Sequence, residues 1–179
     1  MEGTILIGDH LFLDKALYGP TLPGTGLRLP ALRKIRRGDI VAFRFPRDPN
    51  LNFLKRVAAL GGDRVEILAG VVHVNGKAIQ EPYAIHHGGT PSGSMAARIV
   101  PRGELFVLGD NRDDSEDSRD WGTVPVQNVI GEPIFIFWSY DAPSRFWLDE
   151  RLKSPLRFYG SLLANFLART RWRRTGTWL

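Results

Sequence analysis

The chain has 179 residues, 43% of them hydrophobic, which excludes a disordered chain and suffices for one well-packed core. It has no cysteine, which excludes disulfides, thiol catalysis and cysteine-based zinc sites, while 19 Gly and 12 Pro suit strands and turns better than a helix bundle. The net charge of +5 is uneven: residues 151–179 carry Arg151, Lys153, Arg157, Arg169, Arg171, Arg173 and Arg174 and no acid, so the rest of the chain is slightly acidic, which weakens a nucleic-acid reading and favours a tail that meets an anionic membrane surface.

In chain order, Met1-Glu2-Gly3-Thr4 runs abruptly into apolar Ile5-Leu6-Ile7, so the start of the protein is expected further upstream. Ile5–Ile7, Gly8-Asp9 and His10–Lys15 read as strand, turn and strand, with His10 a structural or surface residue. Tyr18–Pro30 is a loop rich in Gly and Pro, and the basic cluster Arg33–Arg37 reads as a solvated loop ending at the turn Gly38-Asp39. Asp39–Phe45 reads as a central strand ended by Pro46, with a turn over Arg47–Asn50. In the next strand, Asn52–Ala58, alternation puts Phe53, Lys55 and Val57 on one face and Leu54, Arg56 and Ala58 on the other. Lys55 on an apolar face has two readings. It snorkels to an edge, or it is a desolvated amine with a lowered pKa, the kind that serves as a general base.

Arg64–Leu68, Val71–Val74 and Lys77–Ile79, joined at Ala69-Gly70 and Asn75-Gly76, make two consecutive hairpins. Pro82–Ser94 is a loop whose His86 and His87 have no further ligand at metal spacing, so they read as structural or exposed. Leu105–Leu108 is a short strand broken at Gly109. After it, Asp110–Trp121 is crowded with Asp, Glu and Arg around Ser115 and Ser118, and reads as an ordered loop rather than a plain charge run. Val129–Tyr140 is an aromatic-rich strand pair or a single bent strand interrupted at Pro133. Beyond Lys153, Leu156, Tyr159, Leu162, Leu163, Phe166 and Leu167 share one face of a helical wheel, opposite Arg157, Ser161, Asn165 and Arg169. That basic amphipathic helix either docks on the domain or lies in a membrane interface.

Four pieces now stand in order: MEGTILIGDHLFLDK, RRGDIVAFRFPRDP, FLKRVAALGGDRV and FVLGDNRDDSEDSRDWGTVP. Together they resemble bacterial type I signal peptidase, the membrane-bound serine protease that removes signal peptides from exported proteins. The resemblance covers most of residues 1–138, and its last motif is long and specific.

The resemblance implies a mainly β fold with an antiparallel catalytic core over residues 1–65 and 101–150, a small β insertion over 66–100, and the basic amphipathic C-terminal helix in 151–179. It implies a Ser-Lys dyad with Lys55 as general base and Ser115 as the hydroxyl that orients it. Asp117 and Arg119 match a salt-bridged pair that shapes the site, and Asp110 with Arg56 belongs to the same network. Met1 and Ile5 are candidates for the substrate pockets.

The nucleophilic serine of the motif S-M-x-x-T-L would sit one position before Met1, the oxyanion-hole serine two positions before that, and a transmembrane helix further upstream. The chain as written is therefore expected to be inactive. Pro91-Ser92-Gly93-Ser94-Met95 resembles the nucleophile motif by chance, since it follows the lysine and lacks the x-x-T-L continuation. Gly61 stands where many members have Pro. Substrates implied are signal peptides with small residues at −1 and −3, bound as an added strand, at the outer side of the bacterial inner membrane; membrane lipid is a partner, and no cofactor, metal or nucleic acid is expected. Two alternatives remain: a non-catalytic membrane-surface protein that binds extended peptides, and, more distantly, a nucleic-acid-binding β domain with a basic tail.

Overall fold

The structure, a computed structural model, describes residues 1, 4–19, 24–25, 27, 29–88, 93–141, 160 and 162–179. It is mainly β and antiparallel, with strands β1 (Asp9–Asp14), β2 (Ile40–Phe45), β3 (Asp48–Leu60), β4 (Arg64–Leu68), β5 (Val71–Val74), β6 (Lys77–Ala78), β7 (Met95–Ile99), β8 (Glu104–Leu108), β9 (Val124–Pro125), β10 (Val129–Ser139) and β11 (Thr177–Trp178). Helices among the described residues include α1 (Ser118–Trp121) and α2 (Phe166–Arg169). Contacts divide the chain into two units, Met1–Thr4 with Leu13–Pro133, and Ile5–Phe12 with Ile134–Leu179.

In the first unit, β2 pairs with β3, β3 with β8 and β8 with β9, while the start of β10 pairs with β2. A second, smaller sheet has the order β6-β5-β4-β7. Its turns follow from residue type: Asn75 and Gly76 both take positive φ, as do Ala69 and Gly70, the backbone that matches strand twist in a tight hairpin. Alternation along β8 sends Phe106 and Leu108 into one core with Ala58, Val65, Ile67, Val72 and Val74, and Leu105 and Val107 into another with Tyr18, Val41, Phe43 and Val57. An irregularity in the β3–β8 register between Val57 and Ala59 lets Ala58 and Ala59 both face the first core. The consequence for the site is that neighbours on β3, Lys55 and Arg56, point to opposite faces of a strand packed on both sides.

In the second unit, residues 134–139 of β10 are flanked by β1 and β11, with Phe135 opposite Trp178. Phe12 packs on Phe135 and Phe137. The side chain of Asp9 is fully enclosed. It accepts hydrogen bonds from Arg174, Ser139 and the Leu6 amide. Burial alone would raise its pKa, but those donors outweigh burial and hold it below the usual carboxylate value.

Several expectations change. Ile5–Ile7 is not a strand: Leu6 donates its amide to the Asp9 carboxylate and accepts from the Asp9 amide, closing a turn. Arg47–Asn50 is not a separate turn, because β3 already begins at Asp48, opposite Phe45. The cluster Arg33–Arg37 is not simply solvated: Arg33 bonds Asp39 and Glu132, and Arg37 makes two bonds to Asp63. Pro133 does not interrupt β10. In the tail, residues 154–159 and 161 lie outside the described residues, as do Pro91 and Ser92; Leu162 is buried while Leu163 and Leu167 face solvent.

Phe43 is fully buried and touches Phe53 and Trp121, joining the core to α1. Phe43→Ala is expected to lower unfolding stability by about 3–5 kcal/mol in urea titration.

Candidate active site

Leu108 pairs with Arg56 across the β3–β8 ladder, so the chain leaving β8 emerges beside Lys55 and Arg56. Gly109 opens a loop that turns back on both residues. Asp110, fully buried, receives Arg56 through Nε to Oδ1 at 2.9 Å and Nη2 to Oδ2 at 2.8 Å. Thr4 donates its hydroxyl to the same carboxylate at 2.9 Å. Five residues on, Ser115 Oγ accepts a hydrogen bond from Lys55 Nζ at 2.8 Å.

The loop closes on α1, and Asp117 is the residue that closes it. Its carboxylate, with no exposed surface, accepts the Gly109 amide at 3.0 Å, the Arg119 amide at 3.2 Å, and the Arg119 guanidinium at 2.8 and 2.9 Å. Arg119 also donates to the Ser115 carbonyl at 3.3 Å. Asp120 returns a bond to the Asp117 amide, which makes a reciprocal cap of so short a helix. Ser118, buried, accepts the Val107 amide and ties the loop to β8.

Gly109 is required by contact rather than by φ. A Cβ there would lie 2.1 Å from Ser115 Oγ and 3.4 Å from Lys55 Nζ. The backbone therefore packs directly on the lysine–serine pair. Burial pushes the Lys55 ammonium below its ordinary value, Asp117 opposes that shift and Arg119 reinforces it. A partly desolvated amine bonded to a hydroxyl is the arrangement that proton transfer from a serine-type nucleophile needs.

The structure thus brings Lys55, Ser115, Asp117, Arg119, Asp110 and Arg56 into one network with Thr4. Met1 accepts the Thr4 amide through its carbonyl at 2.9 Å, whereas Ile5 belongs to the second unit. Gly109 stands out in sequence only as the break after β8, and Arg112, Glu81 and Tyr83 are not singled out there. Gly109 and Arg112 stood in the motif and carried a signal, but Glu81 and Tyr83 lie in a loop about which local sequence says nothing. His87 Nε2 accepts from Asn111 Nδ2 at 3.0 Å, and the His87 amide donates to the Asp113 carboxylate, so His87 braces a loop. Among the described residues no group of His, Cys, Asp or Glu side chains is placed to hold a metal ion. A cavity of about 340 Å³ lies elsewhere in this unit, lined by Tyr18, Ile35, Leu60, Leu105 and Val126.

Residues 1–138 match the family model described as signal peptidase, peptidase S26. A signal peptidase I of Pseudomonas aeruginosa is 31% identical over 180 residues, covering 80% of this chain and 63% of its own length. A probable signal peptidase I-1 of Synechocystis is 36% identical over 145 residues, covering 77% of this chain and 66% of its own. A crystal structure of a signal peptidase I from Enterococcus faecalis superposes with a TM-score of 0.50 at 31% identity, over 57% of this chain and 98% of the other. This chain spans about 63% of the length of the Pseudomonas relative.

A lysine whose folded pKa lies below its unfolded value binds fewer protons when folded, so stability rises with pH between the two values. Lys55→Met removes that linkage. The gain in stability from Lys55→Met is expected to be largest near neutral pH and to shrink as pH approaches the ordinary lysine value of 10.5. Urea midpoints of the two proteins across that range test it; a pH-independent difference would mean an ordinary lysine.

Proposed function

The chain belongs to the signal peptidase family, peptidase S26, and from that premise we propose that it is a type I signal peptidase working by a Ser-Lys dyad. The observation that carries this reading is the 2.8 Å bond from Lys55 Nζ to Ser115 Oγ in a partly desolvated site. In the family pattern the attacking serine falls one position before Met1. Its oxygen adds to the carbonyl carbon of the scissile peptide while neutral Lys55 takes its proton. Lys55 then returns that proton to the leaving amine, the C–N bond breaks, and water hydrolyses the acyl-enzyme by the same steps.

Ser115 orients the lysine, and Asp117 with Arg119 holds the loop that carries Ser115. Asp110, clamped by Arg56, holds Thr4 and so the segment that follows the serine position. In this reading residues 66–100 are an insertion in the catalytic core, and Met1 is a candidate contact for the small residues at −1 and −3. The substrates are signal peptides of exported preproteins.

Association with the outer face of the inner membrane belongs to the same proposal. Among the described residues no helix is long and apolar enough to cross a membrane. Within the second unit, Leu163, Leu167 and Trp178 are 75%, 76% and 73% exposed, and Trp172 is exposed beside them in sequence. Arg169 and Arg173 face solvent, whereas Asp9 is enclosed by Arg174. Exposed Leu and Trp with accessible Arg suit an anionic bilayer interface, with Asp141 the exposed acid near Arg171.

Two outcomes are expected. A version bearing a serine directly before Met1 on an apolar N-terminal helix cleaves a preprotein after Ala-x-Ala, and Lys55→Ala lowers its turnover by roughly 10²–10⁴-fold. Undiminished turnover in that variant would remove Lys55 from the mechanism. In vesicle co-sedimentation with anionic lipid, Leu163→Ser combined with Leu167→Ser weakens binding severalfold; unchanged binding would show that this segment is not the contact.

A further inference from the structure

We propose that Glu81 and Tyr83, on the segment returning from the small sheet, are positioning residues for the Lys55–Ser115 pair, acting through Arg112, Gly109 and Arg56. The inference rests on the reading of Lys55 as the working amine and deepens it.

The segment crosses the loop after β8 and is stitched to it by backbone. Ile85 donates its amide to the Asp110 carbonyl at 2.7 Å, and Arg112 donates its amide to the Ile85 carbonyl at 3.0 Å. The side chains add two clamps. Glu81 takes both terminal nitrogens of Arg112 at 2.6 Å, with the two side chains only 9% and 5% exposed. The third nitrogen of that guanidinium, Nε, donates to the Gly109 carbonyl at 3.1 Å. Gly109 is the backbone against which Ser115 Oγ and Lys55 Nζ pack, so the arginine that fixes Gly109 fixes the floor of the pair. Tyr83 acts on the other side of β3: its ring centroid lies 3.8 Å from the Arg56 guanidinium carbon, which in turn grips Asp110.

A buried guanidinium needs its counter-charge. Without the Glu81 carboxylate, Arg112 must draw in water or leave, and either movement releases the Gly109 carbonyl. Water then reaches the amine that burial keeps dry. Glu81 touches neither Lys55 nor Ser115, so its effect is transmitted through an ion pair of which one member stands in the motif and the other does not.

The test is competitive labelling of the full chain with trace acetic anhydride from about pH 6 to 11, which brackets ordinary lysine titration, with acetylation of Lys55 read by mass spectrometry. Exposed Lys34 and Lys77 serve as internal references. In Glu81→Gln the Lys55 midpoint is expected to move toward the reference lysines by about half a pH unit or more, on the scale of shifts that burial produces. Glu81→Asp restores most of the original profile. Val72→Ala, a core substitution in the small sheet, leaves Lys55 unmoved despite lost stability. A folded Glu81→Gln protein with the original Lys55 profile overturns the proposal. If Glu81→Gln does not fold, Tyr83→Leu decides in its place: a shift in the same direction supports the inference, and no shift overturns it. If Lys55 of the unaltered chain already titrates with Lys34 and Lys77, the general-base reading fails and this inference with it. A depressed Lys55 that ignores all the variants overturns the positioning alone.

Discussion

Burial of the Lys55 amine is the constraint on which the first unit turns, and it holds the ammonium below its ordinary pKa. The strand that carries it has a packed core on each face, with Val57 in one and Ala58 in the other. On a strand exposed on one side, Lys55 would reach solvent and stay charged. Here the loop after β8 covers it, and the cover presents a hydroxyl at 2.8 Å rather than a carboxylate. A carboxylate in that place would favour the ammonium and oppose the effect of burial. The nearest acids act through space, and Arg119 partly offsets them.

The cover is held by two carboxylates with no exposed surface. Asp110 and Asp117 would each be costly to enclose alone. Asp110 is compensated by two bonds from Arg56 and one from Thr4, and Asp117 by the Arg119 guanidinium and two backbone amides. Each therefore binds a different part of the chain: Asp110 reaches back to the first residues and to β3, and Asp117 ties the two ends of its own loop. The segment reads in sequence as an ordered loop, and it encloses Asp110, Arg112 and Asp117 while Asp113, Asp114, Glu116 and Asp120 stay exposed; each buried charge meets an opposite charge or a hydrogen-bond donor.

Much of this was legible from the chain alone. Alternation in Asn52–Ala58 placed Lys55 and Arg56 on opposite faces, and Asn75-Gly76 marked a hairpin, since both depend on neighbours in sequence. The motif residues from Gly109 to Trp121 could be read together because short-range bonds such as Asp117 to Arg119 and Asp120 to Asp117 join positions close along the chain. Ile5–Ile7 misled for a local reason as well: an apolar triplet signals a strand, but the Asp9 carboxylate captured its backbone instead. The basic cluster misled for a distant one, since Glu132 and Asp63, the partners of Arg33 and Arg37, are remote in sequence.

Sequence by itself determined most of the strand pattern, the lysine and serine that the structure joins by a hydrogen bond, and the family, because those rest on residue order and short spacing. Tertiary structure decided which charges are enclosed and by what. The pairing of Glu81 with Arg112, the ring of Tyr83 over Arg56, and the contact of Gly109 with both Lys55 and Ser115 join residues that no periodicity relates. They arise only when the return from the small sheet is laid across the loop after β8, since burial and long-range ion pairing are properties of the folded chain.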